Sequence, residues 1–154
     1  MTRGRSKRQA LIDAGAAHGI VTDEQDLVAE ILAITGGKGA KVVFGPVGGP
    51  TVVKLTQAMA RYGILFIYGA LSPEPTPLPL FEVLVKGLTI RGYSLMEVTT
   101  DPARLERGKR FINEGLADGS LKPVIARTFP LKEIVEAHRY MESNQQIGKI
   151  VVTV

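Results

Sequence analysis

Two short runs constrain this chain more than any other feature of it. Residues 41–44 (KVVF) and 64–70 (ILFIYGA) are nearly continuous in apolar, β-branched and aromatic side chains. A strand without a polar face belongs in a parallel sheet with helices on both sides. The intervening residues agree. GPVGGP at 45–50 punctuates the first run, and a helix opening at Pro50 carries VVKLTQAMARYG, closes at Gly63 and leads into the second run. Upstream, 6–16 (SKRQALIDAGA) reads as a short amphipathic helix and 18–22 as a short strand. Asp23 then caps a helix on which Leu27, Ile31 and Ile34 share one face, with Gly36 and Gly37 ending it. The proline-rich 72–79 (SPEPTPLP) can be neither helix nor central strand, so it is an ordered loop or lid. After it come FEVLVKG, a strand LTIRGYSL, a helix over 101–117, a strand around PVIARTF, the helix PLKEIVEAHRYMESN and a terminal strand KIVVTV. Alternation of this kind predicts a doubly wound α/β fold.

A chain of 154 residues with 45% hydrophobic and 22% charged residues suits one folded domain. No apolar run approaches the roughly 20 residues of a membrane span, and the basic start is not followed by the apolar stretch of a signal peptide. The expectation is a cytoplasmic protein without a membrane partner. Without cysteine there is no disulfide, thiol nucleophile or cysteine zinc site, and two histidines make a poor metal site. The net charge of +4 has a local source. Arg3, Arg5, Lys7 and Arg8 cluster at the start, and the remaining 15 basic residues balance the 15 acids. A cluster confined to one end lacks the basic stripe and interleaved aromatics of a nucleic-acid binder. It is either a solvated end or a phosphate contact.

One expected feature is missing. A doubly wound dinucleotide fold opens with a strand and a GxGxxG turn that seats the pyrophosphate on a helix N-terminus. Here GPVGG lacks that spacing, and the sequence opens on a helix. The first strand, its glycine turn and the second strand are therefore expected upstream of Met1. In order, the segments KRQALIDAGA, ITGGKGAKVVFGPVGG, IYGALS, IRGYSL, LADGSLKPVIARTFPLKEIVEAHRYMES and QIGKIVV resemble the carboxy-terminal part of the medium-chain dehydrogenase/reductase superfamily. The branch they resemble holds zinc-type alcohol dehydrogenase-like proteins and NADPH:quinone oxidoreductases. The resemblance implies a Rossmann-like parallel sheet lacking its first two strands. It also implies a partial dinucleotide-binding domain over 1–154, with the GroES-like catalytic domain absent.

By the same resemblance, Pro46, Val47 and Gly48 border the adenosine end of a nicotinamide dinucleotide. Gly69, Ala70, Leu71, Gly92, Tyr93 and Ser94 approach the nicotinamide ring. Small residues suit such positions because backbone groups can reach a ligand only without a Cβ in the way. Each glycine also has a plain reading as a turn residue. Arg3, Ser6 and Lys7 fall where NADP-preferring members carry cations, and no acidic ribose ligand is visible, which tilts the expected cofactor to NADP(H) over NAD(H). Lys149 resembles a basic position near the cofactor, and a solvent-facing lysine at a strand edge is the equal alternative. Gly45 departs from the acidic residue that relatives carry at this strand end. His18 and His138 have no triad or general-base partner in sequence and read as surface or packing residues.

The implied function is the NADP(H)-binding portion of an oxidoreductase acting on a quinone, enone, carbonyl or alcohol. The alternative is a non-catalytic remnant or dimerisation module. In the family the strand over 89–95 pairs with its twofold mate, and its β-branched content without interior proline suits that. A family strand order of 3-2-1-4-5-6 also leaves a vacancy between 18–22 and 41–44, which must be filled, lent strands by a partner, or closed by docking the first strand beside the fourth.

Overall fold

The structure, a computed structural model, describes residues 1–2 and 4–154 and consists of two compact units, Met1–Thr100 and Asp101–Val154. The first is built on three parallel strands, β1 (Ala40–Gly45), β2 (Met59–Ile67) and β3 (Thr89–Gly92), in the order β1-β2-β3. A short 3-10 turn, Arg5–Lys7, precedes α1 (Arg8–Asp13), and α2 (Leu27–Ile34) precedes β1. The helices α3 (Thr51–Gln57) and α4 (Leu80–Lys86) connect the three strands, and α5 (Met96–Thr99) follows β3. Val52 of α3, Met59, Leu65 and Leu88 form the main core, with Val43, Ile67, Val83 and Ile90 packed against it. A second cluster of Ile20, Leu27 and Leu55 also reaches Val43. These strand residues alternate along each strand and so share one face of the sheet.

The opposite face corrects an expectation. Val42 is 60% and Phe44 57% exposed, so the run read as buried on both sides is covered on one. Elements also differ in extent. The strand expected over 18–22 is a single parallel bridge between Thr2 and Val21, with Thr2 N–H donating to Ile20 C=O at 2.9 Å and Thr22 N–H to Thr2 C=O at 2.8 Å. It does not dock beside β1. The helix expected to close at Gly63 stops at Gln57, and β2 begins at Met59. The cap of α2 is Asp26, whose carboxylate accepts from Ala29 N–H at 2.8 Å, rather than Asp23. Gly36 and Gly37 end α2 with positive φ, and Gly37 N–H donates to Leu32 C=O at 2.7 Å.

The second unit holds α6 (Pro102–Ala117), β4 (Ile125–Pro130), a 3-10 turn, α7 (Ile134–Glu142) and β5 (Lys149–Thr153). Asp101 caps α6 by accepting from Ala103 and Arg104 N–H at 2.9 and 3.1 Å, and Pro102 stands in the first turn, where its missing N–H costs nothing. β4 and β5 pair in parallel, as a strand–helix–strand unit requires. Phe129 and Ala137 form its small core, with the Tyr140 ring 6.1 Å from that of Phe129.

Candidate functional site

In an open parallel sheet, ligands bind beyond the carboxyl ends of the strands. Register puts Gly45, Ile67 and Gly92 in one row at that end, so the loops that follow them emerge side by side. Backbone hydrogen bonds tie those loops together. Tyr68 N–H donates to Gly45 C=O at 3.2 Å, Leu71 N–H to Pro46 C=O at 3.2 Å, Ser72 N–H to Val47 C=O at 2.9 Å, and Tyr93 N–H to Ile67 C=O at 2.9 Å. Pro46, Val47, Gly48, Gly69, Ala70, Leu71, Gly92, Tyr93 and Ser94 are thus collected at one end of one sheet.

Their individual surroundings differ. A Cβ on Gly69 would lie 2.7 Å from Pro46 C=O, so this glycine is required by the packing of two loops on each other. Gly48, at φ +67°, and Gly49, at φ +61°, adopt a left-handed conformation, and Gly49 N–H donates to Thr76 Oγ1 at 2.8 Å. That bond ties the proline-rich segment to the loop after β1, as its reading as ordered requires. Nothing lies within 4 Å of a Cβ built on Gly45 or Gly92, so the row opens into free space at both outer strands. Ser94 serves α5 locally, its Oγ accepting from Met96 N–H at 3.2 Å. The Tyr93 ring sits 5.9 Å from that of Phe44, which stacks on Tyr68 at 4.1 Å. Sequence patterning hid this aromatic cluster because its members come from three distant places in the chain, Phe44 on β1, Tyr68 just after β2 and Tyr93 just after β3.

Beside the loops is a cleft of about 600 Å³. Pro46 and Val47 line it, as do Phe44 and Lys54, and its other wall carries Thr2, Thr22 and Gln25. Thr2, Gln25 and Lys54 had no motif to single them out. Ser6 and Lys7 lie in the 3-10 turn shortly after Thr2, and Arg3 lies outside the described residues. The basic cluster is partly satisfied within the unit. Arg5 pairs with Glu24 at 2.6 Å, and Arg8 Nε donates to Gly19 C=O at 3.0 Å. Lys149, exposed at the start of β5, belongs to the second unit. That unit has its own cavity of about 350 Å³, lined among others by Glu136 and Arg139, which are ion-paired to each other.

Among the described residues there is no cluster of three or more metal-ligating side chains. His18 and His138 are exposed, as their sequence context suggested. The carboxyls held below their ordinary range are Asp101, chiefly by the Arg104 amide, and Asp118, chiefly by the Ser120 amide. Both stabilise local turns of the second unit. No helix among the described residues is long and apolar enough to cross a membrane.

The zinc-binding dehydrogenase family profile matches residues 14–152. Among curated proteins, the chain is 33% identical over 140 residues to 2-haloacrylate reductase from Burkholderia sp, covering 90% of this chain and 42% of the relative. It is 31% identical over 145 residues to quinone oxidoreductase 1 from Escherichia coli strain K12, covering 92% and 44%. Among solved structures, Escherichia coli quinone oxidoreductase complexed with NADPH superposes with a TM-score of 0.89 at 28% identity, over 99% of this chain and 48% of that one. A 2-haloacrylate reductase crystal structure gives 0.85 at 28% identity, over 99% and 48%. The chain therefore spans less than half the length of these relatives.

Proposed function

Because the chain belongs to the zinc-binding dehydrogenase family, in the quinone oxidoreductase branch of the medium-chain dehydrogenases/reductases, we propose that it forms the NADP(H)-binding portion of an oxidoreductase. The substrate class is a quinone, enone, carbonyl or alcohol. The observation that carries this reading is the row Gly45–Ile67–Gly92, which gathers three loops at the carboxyl end of a parallel sheet. An Escherichia coli relative of the same fold is complexed with NADPH.

The residues present fit part of a dinucleotide. Gly92 leaves open space at one end of the row, and Pro46 and Val47 line the cleft at the other. The middle is less well served. Gly49 N–H, an amide that could face a phosphate, is engaged by Thr76, and no GxGxxG turn is present in the sequence. A nicotinamide dinucleotide supplies the hydride when bound, and this chain's share is to hold and orient it. Backbone groups at Gly69–Leu71 and Gly92–Ser94 meet the redox end. Pro46, Val47 and Gly48 meet the adenosine. Arg3, Ser6 and Lys7 meet a 2′-phosphate.

The alternative, a dimerisation module, has its own support. The outer edge of β3 pairs with no strand among the described residues, and Phe81, Leu84 and Val85 on α4 and Leu95 beyond β3 are exposed apolar side chains. Both readings are compatible in one protein. The discriminating experiment is an amide chemical-shift titration of the whole chain with NADPH. Shifts confined to the loops after β1, β2 and β3, at an affinity weaker than micromolar, are expected. Shifts scattered over the surface, or none at any concentration, would overturn the cofactor reading and leave the dimerisation module.

A further inference from the structure

The strand–helix–strand unit at 125–153 carries a charged cavity that the cofactor reading does not use. Glu133, Glu136, Arg139, Tyr140 and Ser143 recur at three- and four-residue spacing, so they form one stripe along α7, from its first cap, Glu133, to its last, Ser143. Arg127 and Phe129, two residues apart on β4 and therefore on one face of that strand, line the same cavity of about 350 Å³. Phe129 is buried, and the Arg127 guanidinium lies over its ring at 4.5 Å and 5.8 Å from the centroid of the Tyr140 ring. Stacking of this kind fixes the plane of a guanidinium and leaves the donors on its edge available. Arg127 makes no hydrogen bond or ion pair with any described residue. Glu133 is uncommitted in the same way, since its carboxylate does not cap α7 and pairs with no described cation. Glu136 and Arg139, by contrast, neutralise each other. The cavity is thus left with one positive and one negative group, neither spent and not within ion-pair distance of each other.

We propose that this cavity binds a free α-amino acid as its zwitterion, with the carboxylate bidentate on Arg127 and the ammonium on Glu133. Charge balance selects the ligand. A simple anion on Arg127 faces the Glu133 carboxylate, and a simple cation on Glu133 faces Arg127, whereas a molecule carrying both charges is attracted at both ends. Size agrees. About 350 Å³ stands at the low end of small-molecule cavities, which suits an amino acid and is too little for a dinucleotide. The remaining lining favours a polar side chain. Ser143 Oγ donates to Tyr140 C=O at 2.7 Å and accepts from Gln145 N–H at 3.4 Å, which ties the loop after α7 to the helix and holds the Gln145 amide at the rim.

The proposal draws on the second unit alone, and its test reads neither cofactor nor activity. The labelled full chain is titrated with L-glutamine, and the Arg127 Nε–H and Tyr140 ring signals are followed by NMR. Saturable shifts of both are expected at a Kd of about 1 mM, the strength of a few exposed charge contacts. Glutamine amide, which lacks the carboxylate, N-acetylglutamine, which lacks the ammonium, and inorganic phosphate are each expected to bind about tenfold more weakly or worse. Arg127→Gln and Glu133→Gln, both at exposed positions, are each expected to weaken glutamine about tenfold, read on the Tyr140 ring. Absence of saturable shifts at about 50 mM glutamine would overturn the proposal. So would binding of the amide, the acetyl derivative or phosphate as tightly as glutamine, an outcome that does not depend on the folding of any variant. Undiminished binding by the Glu133→Gln chain would do the same.

Discussion

Gly69, two residues beyond the end of β2, and Gly92, the last residue of β3, are glycines in different surroundings. At Gly69 a Cβ would press on Pro46 C=O at 2.7 Å and Cα at 3.3 Å. Gly69→Ala is therefore expected to cost about 1 to 3 kcal/mol in urea unfolding, as overpacking does. At Gly92 a Cβ meets nothing within 4 Å, so Gly92→Ala is expected to change stability by less than about 0.5 kcal/mol. If the nicotinamide lies there, the same variant weakens the NADPH-induced amide shifts of Tyr93 and Ser94. Unaltered shifts would remove Gly92 from the site. The sequence marks both as glycines after a strand and cannot tell them apart, because the difference is made by Pro46 on another loop. Lys7 and Arg3 are separable by charge. Lys7→Glu or Arg3→Glu is expected to weaken NADPH binding about two- to fivefold more than NADH binding, the range of an exposed ion pair. Equal losses would show that no 2′-phosphate is read there.

At the scale of the element, caps and edges decide. Asp26 accepts from Ala29 N–H at 2.8 Å, so Asp26→Ala is expected to cost about 1 kcal/mol, while Asp23→Ala is expected to be nearly silent in the same unfolding experiment. Both aspartates precede the same apolar stripe, and the choice between them rests on where the chain leaves the Thr2–Val21 bridge. Asp101 gives a pH dependence. The Arg104 and Ala103 amides hold its carboxyl below the ordinary 3.8, so its support of α6 is present above that value and is lost as pH falls through the lower, folded-state one. Asp101→Asn is expected to flatten this acid limb in the helical signal of α6. The outer edge of β3 pairs with no strand among the described residues. Ile90→Pro is expected to yield monomers if copies pair through it, and an unchanged mass by light scattering would exclude that pairing.

For the whole molecule, exposed apolar surface is the dominant fact. Val42, Phe44, Phe81, Leu84 and Phe111 are all more than half exposed, and the buried apolar residues form small clusters. Folding is carried by buried apolar area against a chain entropy of similar size, so so small a core leaves little surplus. The chain alone is expected to bind an apolar dye and to unfold in urea over a broad range. A sharp two-state transition at an ordinary 5 to 15 kcal/mol or so would show that these faces are covered by self-association or are harmless.

The sequence by itself determined the class of fold and the order of its pieces. Continuous runs such as KVVF and ILFIYGA, helical spacing around Leu27, Ile31 and Ile34, and turn residues such as Gly36, Gly37 and Pro50 act locally, over a turn or a strand, and needed no neighbours to be read. The ordered series of segments likewise carried the family. Tertiary structure decided everything that depends on a partner distant in the chain. Residues 18–22 have strand composition but form one bridge, because a strand is stabilised by its neighbours and, among the described residues, Val21 bridges to Thr2 alone. Periodicity could place Val42 and Phe44 on a strand face but not say whether that face is covered, since coverage belongs to other elements. The gathering of Pro46, Gly69 and Gly92 in one place comes from parallel register, a long-range pairing that no local pattern encodes.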